Sequence, residues 1–177
     1  MKVTGLGQVI VVLNDMQTKK IINEFAIGGA VAAVLHNEPI STIDLDIFFF
    51  LTEKGDSPIL SLGAIYNYAK ENGFSFDAEF INLHGWLVQF VEVSNNPLWI
   101  EAIENAIEMT IDNFIVSVIG REHLVAMWLL AGRSKDYQKI SLFIEADFLD
   151  DEKLFDILKR HHLAAKWEKE KWRFLDE

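Results

Sequence analysis

The chain contains no cysteine. Disulfides, thiolate metal sites and a cysteine nucleophile are excluded, and a reducing, cytoplasmic setting is the matching expectation. Proline is scarce, with only Pro39, Pro58 and Pro97, each where an element boundary is expected. Basic residues are outnumbered: 16 Lys and Arg stand against 27 Asp and Glu, a formal charge of −11. Such a chain repels a polyanion, which speaks against non-specific binding to duplex DNA. A local basic face, or an acidic site holding Mg²⁺ and a nucleotide, stays compatible with that charge. Long hydrophobic runs are also lacking. The run Val9 to Leu13 is too short to span a bilayer and has no small-residue cleavage site after it, while Ile43 to Leu51 is interrupted by two Asp. No membrane partner is expected, and neither an internal repeat nor a low-complexity tract is visible.

What is present is apolar. Half of the 177 residues are hydrophobic and 12% are aromatic, enough for a sizeable core. Residues Gly5 to Asn23 read as a helix, with Leu6, Val9, Leu13 and Met16 on one stripe, although the β-branched run Val9 to Val12 would also suit a strand. Phe25 to Ile27 reads as a strand, Ala30 to His36 as a helix, Asn37 to Thr42 as a loop and Ile43 to Leu51 as the strongest strand. After a turn at Lys54 to Ser57, Pro58 opens a helix running to Asn72, with Gly73 as its stop. Phe74 to Asn82 and Trp86 to Val93 read as strands around His84-Gly85. The first shows Phe74, Phe76, Ala78 and Phe80 on one side. Leu98 to Met109 reads as a helix and Phe114 to Ile119 as a last strand. Helices are expected over Arg121 to Ala131, Lys135 to Ala146, Asp151 to His162 and Ala164 to Leu175. The fold class is therefore α+β, a mixed β-sheet flanked by helices. Residues 1–120 would form an α/β core with its N-terminal helix, and residues 121–177 a helical extension packed on it.

Chemistry concentrates in Phe25-Ala26-Ile27-Gly28-Gly29-Ala30 and Ser41-Thr42-Ile43-Asp44-Leu45-Asp46. A Gly-Gly pair between strand and helix lets backbone approach a ligand, and the helix start beyond it offers free N–H groups to a phosphate. Asp44 and Asp46 are two apart on a strand and so point to one face. Two carboxylates on an apolar strand repel each other and resist burial. A divalent cation offsets that, and carboxylate pairs with Mg²⁺ on substrate phosphates are the usual arrangement for phosphoryl chemistry. Taken singly, Gly-Gly can mark only a turn, and Asp-x-Asp only a solvated face. Here Phe48-Phe49-Phe50 follows the pair, which argues against a wet face.

These two motifs, about a dozen residues apart, resemble the first nucleotidyltransferase motif of the DNA polymerase beta superfamily, most of all its small bacterial branch that includes the AbiEii-type toxins. The segment Arg121-Glu122-His123-Leu124-Val125-Ala126-Met127-Trp128-Leu129-Leu130-Ala131-Gly132-Arg133-Ser134-Lys135-Asp136 is similar to that branch's helix–turn–helix. With residues 98–118, the resemblance covers about residues 20 to 147. It implies Mg²⁺-dependent transfer of a nucleoside monophosphate from a nucleoside triphosphate to a hydroxyl, releasing pyrophosphate. Asp44 and Asp46 would hold the metals and be catalytic. Gly28 and Gly29, with Thr42, Arg133 and Lys135, would form the nucleotide-binding set. For Arg133 and Lys135, ordinary surface charge is an equal alternative. The pattern has departures. Ile40 stands where relatives often have Arg, Gln89 where a third carboxylate is common, Trp128 where a Lys is frequent and Lys139 where an acid is frequent. Glu92 lies near Gln89 but has the opposite strand parity. These departures motivate an alternative: a degenerate nucleotidyltransferase fold that binds nucleotide or a protein partner, in a toxin–antitoxin setting by resemblance alone. The acceptor and a homodimer are both left open.

Other candidates read as structural. His36 reads as a polar helix end, His84 as a turn residue, and Arg121 and Glu122 as helix-start capping and pairing residues before His123. His161 and His162 are adjacent on a helix, about 100° apart, and do not form a ligand pair. Trp167 and Trp172, interleaved with Lys166, Lys169, Lys171 and Arg173, could bind single-stranded nucleic acid. Docking of the tryptophans on the core or on a second subunit is the better expectation.

Overall fold

Seven strands form one mixed sheet in the computed structural model, which describes residues 5–36, 42–50 and 58–174. In chain order the elements are α1 (Leu6–Thr18), β1 (Phe25–Ile27), α2 (Gly29–Leu35), β2 (Asp44–Phe49), α3 (Pro58–Glu71), β3 (Ser75–Asp77), β4 (Phe80–Leu83) and β5 (Trp86–Glu92). There follow α4 (Pro97–Glu104), β6 (Ile107–Ile111), β7 (Phe114–Val118), α5 (Arg121–Ala131), α6 (Ser134–Glu145), α7 (Asp151–Arg160) and α8 (Ala164–Glu170), with a 3₁₀ turn at Lys171–Arg173. The strand order is β3-β4-β5-β2-β1-β7-β6. Strand β2 pairs parallel with β5 and antiparallel with β1, and β1 pairs parallel with β7. This is the mixed sheet that the alternating elements predict.

Period-two geometry along β2 decides where polar groups go. Leu45, Ile47 and Phe49 are wholly buried on one side. Asp44 is exposed and Asp46 half-buried on the other, with Phe48 next to them on the same face. Helix α4 covers that face through Trp99, whose ring meets Phe48 edge-on at 5.7 Å. Helix α5 is apolar nearly all round and buried from Glu122 to Leu129, as expected of a helix packed on several sides. It touches α2, α4, α6 and α7. Among the described residues no helix is long and apolar enough to cross a membrane.

Several sequence expectations need correction. The helix expected over Leu98 to Met109 stops at Glu104, and residues 107–111 form β6 instead. Asp112 and Asn113 both have positive φ, 47° and 70°, as a two-residue hairpin turn requires, and they join β6 to β7. Asp112 also accepts the Gly7 N–H at 3.1 Å, tying α1 to this hairpin. The single strand Phe74 to Asn82 is two, folded back at Ala78 with φ 51°, so Phe74, Phe76, Ala78 and Phe80 do not share one face. The first helix is a helix despite its β-branched run, but it ends at Thr18, before Lys20 with φ 55°. The last helix ends at Glu170 and tightens into the 3₁₀ turn. Asn37, Ile40, Ser41, Leu51, the turn at residues 54–57 and Leu175 lie outside the described residues.

Candidate functional site

Strand β2 carries Asp44 and Asp46 into a pocket of about 560 Å³. Most of its other walls come from far along the chain. Thr42, Gln89, Arg133, Lys135 and Lys139 contribute polar groups, and Phe80, Val91 and Trp99 an apolar side. Parallel pairing sets Asp46 directly beside Gln89, so the neighbouring side chain on that face is an amide and not a carboxylate. Glu92 pairs with Phe49 and accepts the Ser94 N–H at 2.6 Å. Thr42 Oγ1 accepts the Asp44 N–H at 3.0 Å and so braces the start of β2.

Gly28 and Gly29 make room for side chains of β2. Gly29 has φ +59°, and a Cβ there would fall on the Asp46 carboxylate. A Cβ on Gly28 would fall on the Phe48 ring. The Gly28 N–H donates to the Asp46 carbonyl at 2.9 Å, closing the turn against β2. Only glycines let β2 and the start of α2 come this close.

The basic wall begins at the turn between α5 and α6. Gly132, with φ +68°, ends α5 and its N–H donates to the Trp128 carbonyl at 2.8 Å. Arg133 and Lys135 follow at the start of α6. Asp136 is wholly buried there and accepts from Arg133 Nε at 2.6 Å and Nη2 at 3.1 Å. This forked pair fixes the guanidinium plane. Lys139, one turn on, holds its ammonium 3.6 Å from Asp136 and 5.3 Å from the centre of the Trp128 ring. Lys139 and Trp99 are pocket residues that sequence reasoning did not select. The signal for Lys139 was its spacing four after Lys135, which puts both on one helix face. Trp99 carried no such signal.

Electrostatics distinguish the two acids. Burial raises the Asp46 carboxyl above the ordinary carboxylate range, and Asp44 pushes it further up. Lys139, Arg133 and Lys135 pull it back only in part. Burial in turn lowers the Lys139 ammonium. A divalent cation between Asp44 and Asp46 would relieve both burial and mutual repulsion. The donors are all oxygen, as Mg²⁺ prefers, and Mg²⁺ commonly takes one or two carboxylates and completes its shell from substrate phosphates and water. The residues fit such an ion arriving with a nucleotide. Among the described residues no group of three His, Asp or Glu could hold a metal by itself.

The histidines lie elsewhere. His36 is the C-cap of α2, a polar helix end as expected. It is buried, with Nε2 2.8 Å from the Ile119 carbonyl. Glu122 stands in the first turn of α5, where it is buried, accepts the Asp150 N–H at 3.2 Å and pairs with Lys153 at 2.9 Å. His123 and His161 both meet Glu101. Of the two tail tryptophans, Trp167 packs on Phe174 and Trp172 is exposed.

No protein-family model matches the chain, and no curated protein does. Among solved structures it is similar to the solution structure of the antibiotic-resistance factor ANT(2'')-Ia, an aminoglycoside nucleotidyltransferase. The TM-score is 0.53 at 16% identity, covering 97% of this chain and 99% of that one. The chain has a nucleotidyltransferase fold. On this nucleotidyltransferase fold the acidic pair sits on a central strand, and the basic wall sits on the helices after the sheet.

Proposed function

We propose that the chain is a Mg²⁺-dependent nucleotidyltransferase, moving a nucleoside monophosphate from a nucleoside triphosphate to a hydroxyl acceptor. The observation that carries this is the pocket itself. Asp44 and Asp46 face Arg133 and Lys135, about ninety residues later in the chain, across one cavity. Acids on one wall and cations on the other suit a triphosphate with its metal. Membership of the polymerase beta superfamily and its AbiEii-like branch belongs to the same proposal, as do the division near Gly120 and a cytoplasmic setting.

Arg133 and Lys135 would bind the triphosphate. Arg133, held flat by Asp136, offers directed donors, and Lys135 a mobile point charge. Gly28 and Gly29 would bring backbone up to the phosphates. Asp44 and Asp46 would hold the divalent cation, which when bound polarises phosphoryl oxygens. The acceptor oxygen forms a bond to the α-phosphorus while the bond to the departing pyrophosphate breaks. Among the described residues the pocket carboxylates available to take the hydroxyl proton are Asp44 and Asp46. Trp99, Phe80 and Val91 exclude water from one side.

Gln89 favours a second reading, in which the protein binds nucleotide without transferring it, since an amide beside Asp46 adds no charge for the metal. One experiment separates the two. Thermal stability is measured with each nucleoside triphosphate, with and without Mg²⁺, for wild type and Asp46→Asn, and pyrophosphate release is followed with candidate hydroxyl acceptors. Ligand binding raises stability by roughly RT ln(1 + [L]/Kd). A metal-dependent shift lost in the variant, with Asp46-dependent pyrophosphate release, supports transfer. A shift without release across acceptors supports the binding reading. No shift with any nucleotide ends both.

A further inference from the structure

Among the described residues, Lys139 is the one charged residue of the pocket to which the proposed reaction gives no task. Its side chain is only 16% exposed, and it is braced between the Asp136 carboxylate at 3.6 Å and the Trp128 ring at 5.3 Å. Neither contact uses it up. Asp136 is already held by two nitrogens of Arg133, and a ring face is a weak partner. Lys139 lines the same cavity as Asp44 and Asp46.

Two divalent ions about 3.5–4 Å apart clamp the attacking and leaving oxygens in many phosphoryl-transfer sites. Their mutual repulsion has to be offset by carboxylates. The described lining supplies only Asp44 and Asp46, and the side chain beside Asp46 is the neutral Gln89. A largely buried cation, Lys139, lines the same pocket.

We propose that Lys139 takes the role of a second metal ion: the nucleotide binds with a single divalent cation at Asp44 and Asp46, and with the Lys139 ammonium on its phosphates. This deepens the nucleotidyl-transfer reading and rests on it.

The test uses the full chain, Mn²⁺ as the probe ion and a non-hydrolysable α,β-methylene nucleoside triphosphate. Bound Mn²⁺ is counted by electron paramagnetic resonance, and nucleotide affinity is measured by calorimetry. One Mn²⁺ per chain is expected in the ternary complex, and two would overturn the inference. Lys139→Met keeps the aliphatic stem over Trp128 and is expected to weaken the nucleotide about tenfold or more, the size of one charge-assisted contact. Lys139→Arg should restore most of the loss. Circular dichroism establishes that both variants are folded, and two Mn²⁺ on the wild-type chain would overturn the inference even where they are not. Wild-type affinity in a folded Lys139→Met would overturn the role of Lys139 while leaving the nucleotide site standing. A wild type that binds no analogue, whatever its base, overturns the nucleotide reading and this inference with it.

Discussion

Asp46 sits half-buried beside another carboxylate, and that placement works against folding. Burial, and then the charge of Asp44, hold its carboxyl above the ordinary value of 3.8 despite the three cations nearby. The folded chain therefore holds this proton more tightly than the unfolded chain does. Below pH 3.8 both states carry it, and the group is neutral to stability. As pH rises through the folded value, the ionised form is disfavoured in the folded state and stability falls. Asparagine has nearly the same shape and no charge to desolvate. Asp46→Asn is thus expected to melt above wild type at pH 7 without ligand, by about 2–4 °C for each kcal/mol relieved. The gain should vanish near pH 3.5. Thermal scans at the two pH values check this, and a variant melting below wild type at pH 7 would contradict it. Stability given up at a site residue is a common mark of function. The Gly29 turn, whose missing side chain leaves room for the Asp46 carboxylate, points the same way.

Helices α4, α5 and α7 meet at Glu101. Its carboxylate accepts from Arg160 Nη2 at 2.6 Å and pairs with His161 at 2.7 Å and His123 at 3.2 Å. Arg160 first, then the two histidines, lower the Glu101 carboxyl to about 2. This stability is present above the unfolded value of 4.5 and is lost as pH falls toward 2. Glu101→Gln should therefore melt below wild type at pH 6, and the gap should shrink steadily as pH falls from 4.5 toward 2. A gap of the same size at pH 6 and at pH 2.5 would assign the effect to packing. No sequence rule finds this cluster, because its members are up to 60 residues apart on three helices. Local signals were far more legible. Gly120 and Gly132 bracket α5, whose ends match the expectation residue for residue. Spacing alone put Asp44 and Asp46 on one face. The hairpin Asp112-Asn113 was equally local, a two-residue turn between apolar alternating runs, but the apolar residues of α4 run on into β6 and masked it. Lys139 was seen only as a departure from a motif. Its meaning depends on α6 crossing the mouth of β2, which is tertiary information.

At the scale of the molecule, the described part of the tail supports the site from behind. Lys166 donates to the Leu130 carbonyl at 3.0 Å, at the end of α5. Phe174 is buried, stacked on Tyr137 at 6.0 Å and packed on Trp167 at 4.7 Å. Tyr137 is on α6, directly after Asp136 and two before Lys139. The C-terminal segment thus clamps the α5–α6 turn from behind, and that turn presents Arg133, Lys135 and Lys139 to the pocket. Removing the ring of Phe174 leaves a hole behind Tyr137, and burial of this kind is worth roughly 3 kcal/mol. Phe174→Ala should lower the melting midpoint by about 6–12 °C, at 2–4 °C per kcal/mol. It should also weaken nucleotide binding, though it removes no group that lines the pocket. Trp172, two residues earlier and 71% exposed, supplies the comparison: Trp172→Ala should change stability by no more than about 0.5 kcal/mol and leave affinity as it was. Thermal scans and calorimetry on the two variants measure both effects. A Phe174→Ala protein that loses stability but binds nucleotide as tightly as wild type would mean that the turn keeps its geometry alone, and that the tail stabilises the fold without positioning the basic wall.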